Sequence, residues 1–553
     1  MRETTESAID RALSDFLTER SGLVGAEKQA FAGIVRTLSG ALGDGHSCIE
    51  LDETEHALVC KSRMVSDEAV LPLVLFNSRL YLARYFSYES RLVKNLQRIS
   101  AITYEFPDLD EMLDLCFTTT AAKLDYQRQA ARCALSKAFT IIAGGPGTGK
   151  TTTIVKIVGL LLSIFGSDLK IALAAPTGKA AIRMRESIST LVPLLSFDDD
   201  IREAIPQEAL TLHRLLGARR FSPGFKHDRE NPLPWDVVLV DEASMVDLAL
   251  MSKLVDALKE NSRLILLGDK DQLASVESGA VLADCIEALP GNVVELRTSF
   301  RFDEEISALA RAVNSGDSET VWNYLDAGRL SVLQRAGENW LEQVFENYAR
   351  YMTKAQTATT TEDYLHLFDL FNRFRVLCGV RNGKRGVSGI NTQVEALLTQ
   401  HGFPAGKDQW YVGRPIIISR NDYSKRLFNG DIGLCLPDPE RNGALAVWFE
   451  QNASGPGKTS GLHRFPPTRV PACETVWAMT IHKSQGSEFD EVLIVLPDQD
   501  NQVLSRELLY TAVTRARKSV RILVEKEICA LMVKRKTKRY SGLAERLATP
   551  PRE

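Results

Sequence analysis

The sequence predicts an α/β protein built on two parallel-sheet domains, the second interrupted by a small β-barrel. Three observations predict it. First, FTIIAG, KIALAAP, DVVLVDEA and RLILLGD, between residues 139 and 269, carry short runs that are apolar on both faces, as strands buried in a parallel sheet must be. Second, helical patterns separate these runs, which is the βαβ rhythm of a doubly wound sheet. Third, the rhythm restarts at RVLCGVR (375–381) and resumes at VLIVLP (492–497) and RILVEK (521–526). Between them lie short strands, YVGRPIIIS, NGDIGLCL and ALAVWFEQ, punctuated by turn residues such as Asn429-Gly430.

Taken in order, residues 1–115 mix helical and strand patterns without a chemical motif, and RLYLARYFSYESRL (79–92) reads as a strand running into a helix. Residues 116–335 form the first α/β domain, with a short insertion at about 214–234. Residues 336–407 and 471–553 form the second, and 408–470 the inserted barrel. The polar stretch AQTATTTED (355–363) reads as a loop. With 553 residues, 44% hydrophobic and 25% charged, the composition is that of ordinary globular domains. A net charge of −4 means that any nucleic-acid contact must use local basic patches. Nine scattered cysteines without a CxxC pair disfavour zinc, iron–sulfur and disulfide frameworks and suit a reducing cytoplasm. The polar N-terminus carries no signal-peptide pattern, and the longest uncharged apolar run, residues 157–167, is too short for a bilayer.

The stretch IIAGGPGTGKTTTI (141–154) fits G-x-x-x-x-G-K-[ST] between a strand and a helix. Gly144, Gly145, Pro146, Gly147, Thr148, Gly149, Lys150, Thr151 and Thr152 form a loop whose backbone N–H groups can surround phosphate oxygens at a helix N-terminus. Lys150 would reach the β- and γ-phosphates of ATP, and the Thr151 hydroxyl would ligate Mg²⁺. Asp241 and Glu242 end an apolar strand, where ligands bind in such sheets. Asp241 would hold Mg²⁺ and Glu242 would polarise the attacking water. Alone, that acidic pair reads as a helix cap; beside the phosphate loop it reads as catalytic.

Gln272 follows another buried strand and can hydrogen-bond both the γ-phosphate and the catalytic water. Arg301 in SFRF, and Arg515 on the helix of ELLYTAVTRAR, are candidate arginine fingers, although a lone arginine is more often a surface ion pair. Thr480, His482, Lys483, Ser484 and Gln485 crowd a segment bounded by Gly486, which reads as an exposed binding loop for phosphates, or for nucleotide and DNA strand together. Thr177 and Lys179, then Thr211, His213 and Arg214, suit contacts to a DNA backbone; for Thr177 helix capping is an equal reading. The run KRKTKR (534–539) reads as a solvated charge run, with a DNA or partner contact as the alternative.

The ordered set YQRQAA, GGPGTGKTT, APTGKAA, TLHRLLG, VDEASMVD, GDKDQLASVESG, SFRF, NGDIG, WAMTIHKSQGSEFD and YTAVTRA resembles the superfamily 1 helicases, and more narrowly the RecD family, the alpha subunits of exodeoxyribonuclease V (RecBCD). The resemblance spans about residues 79–517 and its motifs are specific. It implies two RecA-like P-loop motor domains, an N-terminal domain docking on a RecC-like subunit, and an SH3-like inserted β-barrel. It implies ATP-driven 5′-to-3′ translocation on single-stranded DNA with duplex unwinding, in a heterotrimer with RecB-like and RecC-like subunits that serves break repair and recombination. Gln127 would read adenine, and Arg301 and Arg515 would be the two fingers. The nuclease site of such a complex lies on the RecB-like subunit, and no nuclease constellation is read here. One branch of the family works alone behind a long N-terminal extension; about 120 residues precede the first motor motif here, which favours the complex-bound form. The segment where the family inserts a wedge-like hairpin (216–233) is short. A scaffold with a silent ATP site remains the rival reading.

Overall fold

The computed structural model describes residues 7–117, 125–219, 222, 224–298, 304–326, 333–335, 337, 339–406, 408–422, 424–451 and 461–549. The chain divides into two units: residues 1–298 with 538–553, and residues 299–537.

The first unit opens with helices Ala8–Arg20 and Gly25–Gly43 and a small sheet of β1 (Cys48–Glu50), β2 (Val65–Ser66), β3 (Leu73–Phe76) and β4 (Arg79–Leu82), ordered β1-β4-β3-β2. Leu17, Phe31, Val35, Leu38, Leu73 and Leu80 form its core. β4 runs directly into helix Ala83–Ser100, as the sequence predicts. The unit's main sheet is wholly parallel: β5 (Phe139–Gly144), β6 (Ile171–Ala175), β7 (Ala209–Thr211), β8 (Val237–Val240), β9 (Arg263–Gly268) and β10 (Val293–Leu296), in the order β10-β5-β9-β8-β6-β7.

Strand periodicity explains the layers. Ile141, Ala172, Val238 and Leu264 point into one apolar layer, and Ile142, Leu173, Leu239 and Ile265 into the other. Both faces are therefore covered, which is why the runs carry no polar alternation. The boundary expected at residue 115 is not a structural one. Helix Ala83–Ser100 sends Leu92, Val93, Leu96 and Ile99 into the same layer as Phe139 and Val240. Apolar spacing within a helix does not say which neighbour it packs on.

The second unit contains β11 (Leu333–Arg335), β12 (Phe374–Cys378), β18 (Ala478–Thr480), β19 (Phe489–Val495) and β20 (Ala516–Leu523) in a parallel sheet ordered β11-β20-β19-β12-β18. Inserted between β12 and β18 is an antiparallel sheet of β13 (Pro415–Ile418), β14 (Ile432–Asp438), β15 (Ala444–Gln451), β16 (Gly461–Phe465) and β17 (Cys473–Thr475), ordered β16-β15-β14-β13-β17. Ile416, Ile418, Val447 and Phe449 are its core. Asn429 and Gly430 form a turn, with Gly430 in the left-handed region at φ 97°. The Tyr364 hydroxyl donates to the Pro437 carbonyl (2.7 Å) and that of Tyr351 to Gly413 (3.0 Å), seating the insert on two helices.

Three expectations are corrected. The division placed at residue 335 falls at 298/299, because β11 pairs with β20. The loop expected at 355–363 is mostly helical: helices Trp340–Thr357 and Thr361–Arg373 leave three residues between them. The Thr360 hydroxyl accepts from Asp363 N (3.1 Å) while the Asp363 carboxylate accepts from Thr360 N (3.2 Å), a capping box that starts a helix inside the polar run. Finally, residues 538–549 return to the first unit, where helix Leu543–Ala548 buries Leu543 and Leu547. Among the described residues no helix is long and apolar enough to cross a membrane.

Candidate active site

The glycine-rich loop follows β5 and opens helix Lys150–Phe165. Gly147 and Gly149 lie at φ 79° and 82°, a region that L side chains avoid. At Gly144 the constraint is space: a Cβ would sit 2.7 Å from the Thr148 Oγ1. The Thr148 hydroxyl donates to the Gly145 carbonyl (2.8 Å). The Lys150 ammonium donates to the carbonyls of Gly144 (2.6 Å) and Gly145 (3.0 Å), which holds its charge over the loop. Thr151 and Thr152 are half-buried in the first helical turn beyond it, and Pro146 lines the loop. Gln127 donates from Nε2 to the Thr148 carbonyl (3.4 Å), so the adenine-reading candidate is brought to the loop. Asp125 caps its helix, accepting from Gln127 N at 2.9 Å.

Strand order gathers the remaining groups. β5, β9 and β8 are consecutive neighbours, so the loop, Gln272 and the Asp241–Glu242 pair stand side by side at the C-terminal ends of three parallel strands. Two strand spacings of about 4.8 Å each separate β5 from β8. The Asp241 carboxyl is pushed up to about 6, first by burial and then by the Glu242 carboxylate; Lys150 and Arg183 oppose this. A divalent cation would relieve the crowding. The oxygen donors, the Thr151 hydroxyl and the Asp241 carboxylate, suit Mg²⁺.

Glu242 has φ 52°, ψ 39°, the left-handed region that costs a non-glycine residue about 1–2 kcal/mol. Such strain is kept where a side chain must be aimed. Glu242→Gly is therefore expected to exceed Glu242→Ala in stability by about 1 kcal/mol, read as a higher urea midpoint, with both variants inactive in hydrolysis.

Gln272 is buried and donates from Nε2 to the carboxylate of Asp269 (3.1 Å), itself nearly inaccessible. Asp269, which holds Gln272, is a site neighbour that sequence reading missed; its signal is an aspartate directly after a buried strand. Arg183, on helix Gly178–Leu191, was also missed; nothing in its local pattern marks it.

β6 and β7 continue the same edge and carry the candidate strand contacts. The Thr177 hydroxyl caps helix Gly178–Leu191, accepting from Ala180 N (3.2 Å), and Lys179 follows in its first turn. Thr211 caps the next helix, accepting from Arg214 N (3.3 Å). His213 stacks edge-on against Phe225 (5.7 Å), and burial pushes its pKa down while Asp247 opposes this. Within 216–233, Ala218 bridges to Phe225.

In the second unit, Arg301 lies outside the described residues. Arg515 is not on the helix but two residues past Arg506–Val513, buried, with Nε donating to the Thr511 carbonyl (3.1 Å) and Nη1 to that of Ser487 (3.2 Å). The segment expected to be an exposed loop holds a 3₁₀ turn, His482–Ser484; Ser484, Gln485 and Ser487 are buried, while Thr480, His482 and Lys483 are half-exposed. A run of polar residues satisfied internally looks like a polar surface in sequence. Thr480 and His482 line a cavity of about 490 Å³ with Gly379–Asn382 and Pro497–Asn501. Lys483 pairs with Glu474 (3.4 Å), which also binds Arg381. Glu474→Gln is expected to release both cations, tightening single-strand binding several-fold at low salt and steepening the salt dependence by about 0.7 per phosphate gained. A fluorescence-anisotropy titration at several salt concentrations measures both. The basic run 534–539 is likewise anchored: Arg535 forms a fork with the Asp500 carboxylate (2.9 and 2.8 Å), and Arg539 binds three backbone carbonyls.

A family model described as an AAA domain matches residues 127–278, and one described as a UvrD-like helicase C-terminal domain matches residues 475–523. The "RecBCD enzyme subunit RecD" of Mycolicibacterium smegmatis is 40% identical over 483 residues, covering 86% of this chain and 83% of the relative. The protein of the same name from Haemophilus influenzae is 34% identical over 538 residues, covering 86% and 81%. The "ATP-dependent RecD2 DNA helicase" of Deinococcus radiodurans is 30% identical over 385 residues, covering 68% and 46%. A glycine-rich loop ending in Lys150, an acidic pair and a buried glutamine on one sheet edge, with relatives at this identity over most of both chains, lead to one statement: this chain belongs to the RecD family.

Proposed function

We propose that this chain is the 5′-to-3′ motor subunit of a RecBCD-type helicase–nuclease. Family membership makes it an ATP-dependent DNA helicase subunit. The observation that carries the reading is the division of labour along one sheet edge: β5, β9 and β8 present the nucleotide groups, and β6 and β7 the strand-contact candidates. A change at the γ-phosphate is thus one strand away from the groups that grip DNA.

In this reading the loop N–H groups and Lys150 bind the phosphates, and Gln127 reads the base. Mg²⁺, held by Thr151 and Asp241, supplies charge neutralisation at the β- and γ-phosphates when bound. Glu242 orients the attacking water, and Gln272, aimed by Asp269, senses the terminal phosphate. Arg301 and Arg515 stabilise the charge that develops in the transition state. Thr177, Lys179, Thr211, His213, Thr480, His482 and Lys483 hold the strand by its backbone, without reading sequence. The antiparallel insert is read as an SH3-like barrel that helps retain the strand.

The N-terminal segment is read as a docking surface for a RecC-like subunit. Four of the nine large hydrophobic side chains exposed among the described residues, Ile9, Phe16, Val24 and Val70, lie in its first 70 positions. Co-purification with RecB- and RecC-like chains, followed by unwinding of 5′-tailed against 3′-tailed duplexes, tests the proposal. Assembly and preference for the 5′ tail are expected. Unwinding from the 3′ tail by this chain's ATP site would refute the polarity.

A further inference from the structure

The loop that carries Gln272 has no regular secondary structure from Asp269 to Ala280, so its conformation depends on what holds it. At its start, the Asp269 carboxylate accepts from Gln272 Nε2 and from Asp271 N (3.0 Å). At its end, three carbonyls converge on one guanidinium. Arg539 Nη1 donates to Glu277 O and Gly279 O at 2.9 Å each, and Nη2 donates to Ser275 O. The planar fork suits this, because it offers several donors in fixed directions.

The receptor is built on the other side as well. The guanidinium lies flat on Gly45, where a Cβ would come within 2.8 Å of the Arg539 Cζ. Gly279 N donates to Gly45 O (2.9 Å), and the Ser278 hydroxyl donates to Leu42 O (3.2 Å). Leu248 N donates to Ser278 O (3.1 Å), linking the loop to the segment that follows Asp241 and Glu242. Residues beyond Arg539 are fixed independently. Tyr540 N donates to His46 Nδ1 (2.9 Å), Ser47 N donates to Tyr540 O (2.9 Å), and the buried Glu89 carboxylate accepts from Ser47 (2.6 Å), Ser541 (3.3 Å) and Arg546 (3.5 Å).

We infer that Arg539 is a positioning residue for ATP hydrolysis: by clamping Ser275, Glu277 and Gly279 it sets the loop that aims Gln272 at the terminal phosphate. This rests on the role given to Gln272 above. Arg539 touches no reacting atom in this scheme; it acts through three backbone carbonyls.

The test uses the full chain with single-stranded DNA and compares Gln272→Ala, Arg539→Ala, Arg539→Lys and the Gln272→Ala/Arg539→Ala double variant. Arg539→Ala is expected to lower kcat about tenfold with the KM for ATP within about twofold, and the double variant to be no slower than Gln272→Ala alone, as coupled residues require. Arg539→Lys, which keeps a cation but not the fork, is expected to fall between. Hydrogen exchange is expected to rise at residues 269–280 in Arg539→Ala and to stay unchanged in β5 and β8. Multiplicative losses in the double variant, with Gln272→Ala itself slow, would overturn the inference alone. An unaffected Gln272→Ala would overturn the sensing role and the inference together. A global rise in exchange, with kcat of the folded fraction unchanged, would assign Arg539 to stability only and overturn the inference.

Discussion

Arg515→Ala is expected to lower the maximal rate of single-strand-stimulated ATP hydrolysis by about 10³- to 10⁵-fold, the range found for arginines supplied to a transferring phosphoryl group. The side chain is not a loose surface cation. It is 2% exposed, and two carbonyls orient its guanidinium through Nε and Nη1. Truncation also leaves Ser487 O and Thr511 O without these donors, at about 1–3 kcal/mol for buried groups. The variant is therefore read twice, as turnover per folded molecule and as melting temperature. Arg515→Lys, which keeps charge but not the fork, is expected to recover little of the rate. A folded Arg515→Ala protein with parental turnover would leave the residue a packing role.

Lys150→Gln is the second large effect. Removing a preorganised cation from a phosphate site costs about 10² to 10³ in kcat. Because Lys150 is held by the loop's own carbonyls, glutamine there is expected to leave the fold intact. Unwinding should be lost while co-purification with partner chains survives. A silent scaffold predicts no change in ATP turnover or unwinding, so a variant that still unwinds would favour that rival.

Much of the site was legible because its chemistry is local. The phosphate loop and Asp241–Glu242 directly follow an apolar run, and Gln272 comes four residues after one; such a run declares a buried parallel strand. Strand adjacency was not legible: β9 lies between β5 and β8, although it follows both in sequence. Side-chain partnership was hidden for the same reason. His213 stands against Phe225, Lys483 against Glu474 and Arg535 against Asp500, and no spacing rule links positions so far apart. The capping box at Thr360 and Asp363 was present in the polar run; the abundance of threonine there obscured it. The left-handed backbone of Glu242 leaves no trace in residue type, since a glutamate is not what that conformation selects.

The return of residues 538–549 to the first unit sets an order of events during synthesis. While the ribosome is still translating the second unit, Glu89 has Ser47 as a partner but lacks Ser541 and Arg546, and a buried carboxylate with part of its partners missing is costly. The unit that emerges first is thus completed last. Its full native packing therefore waits until helix Leu543–Ala548 has left the exit tunnel.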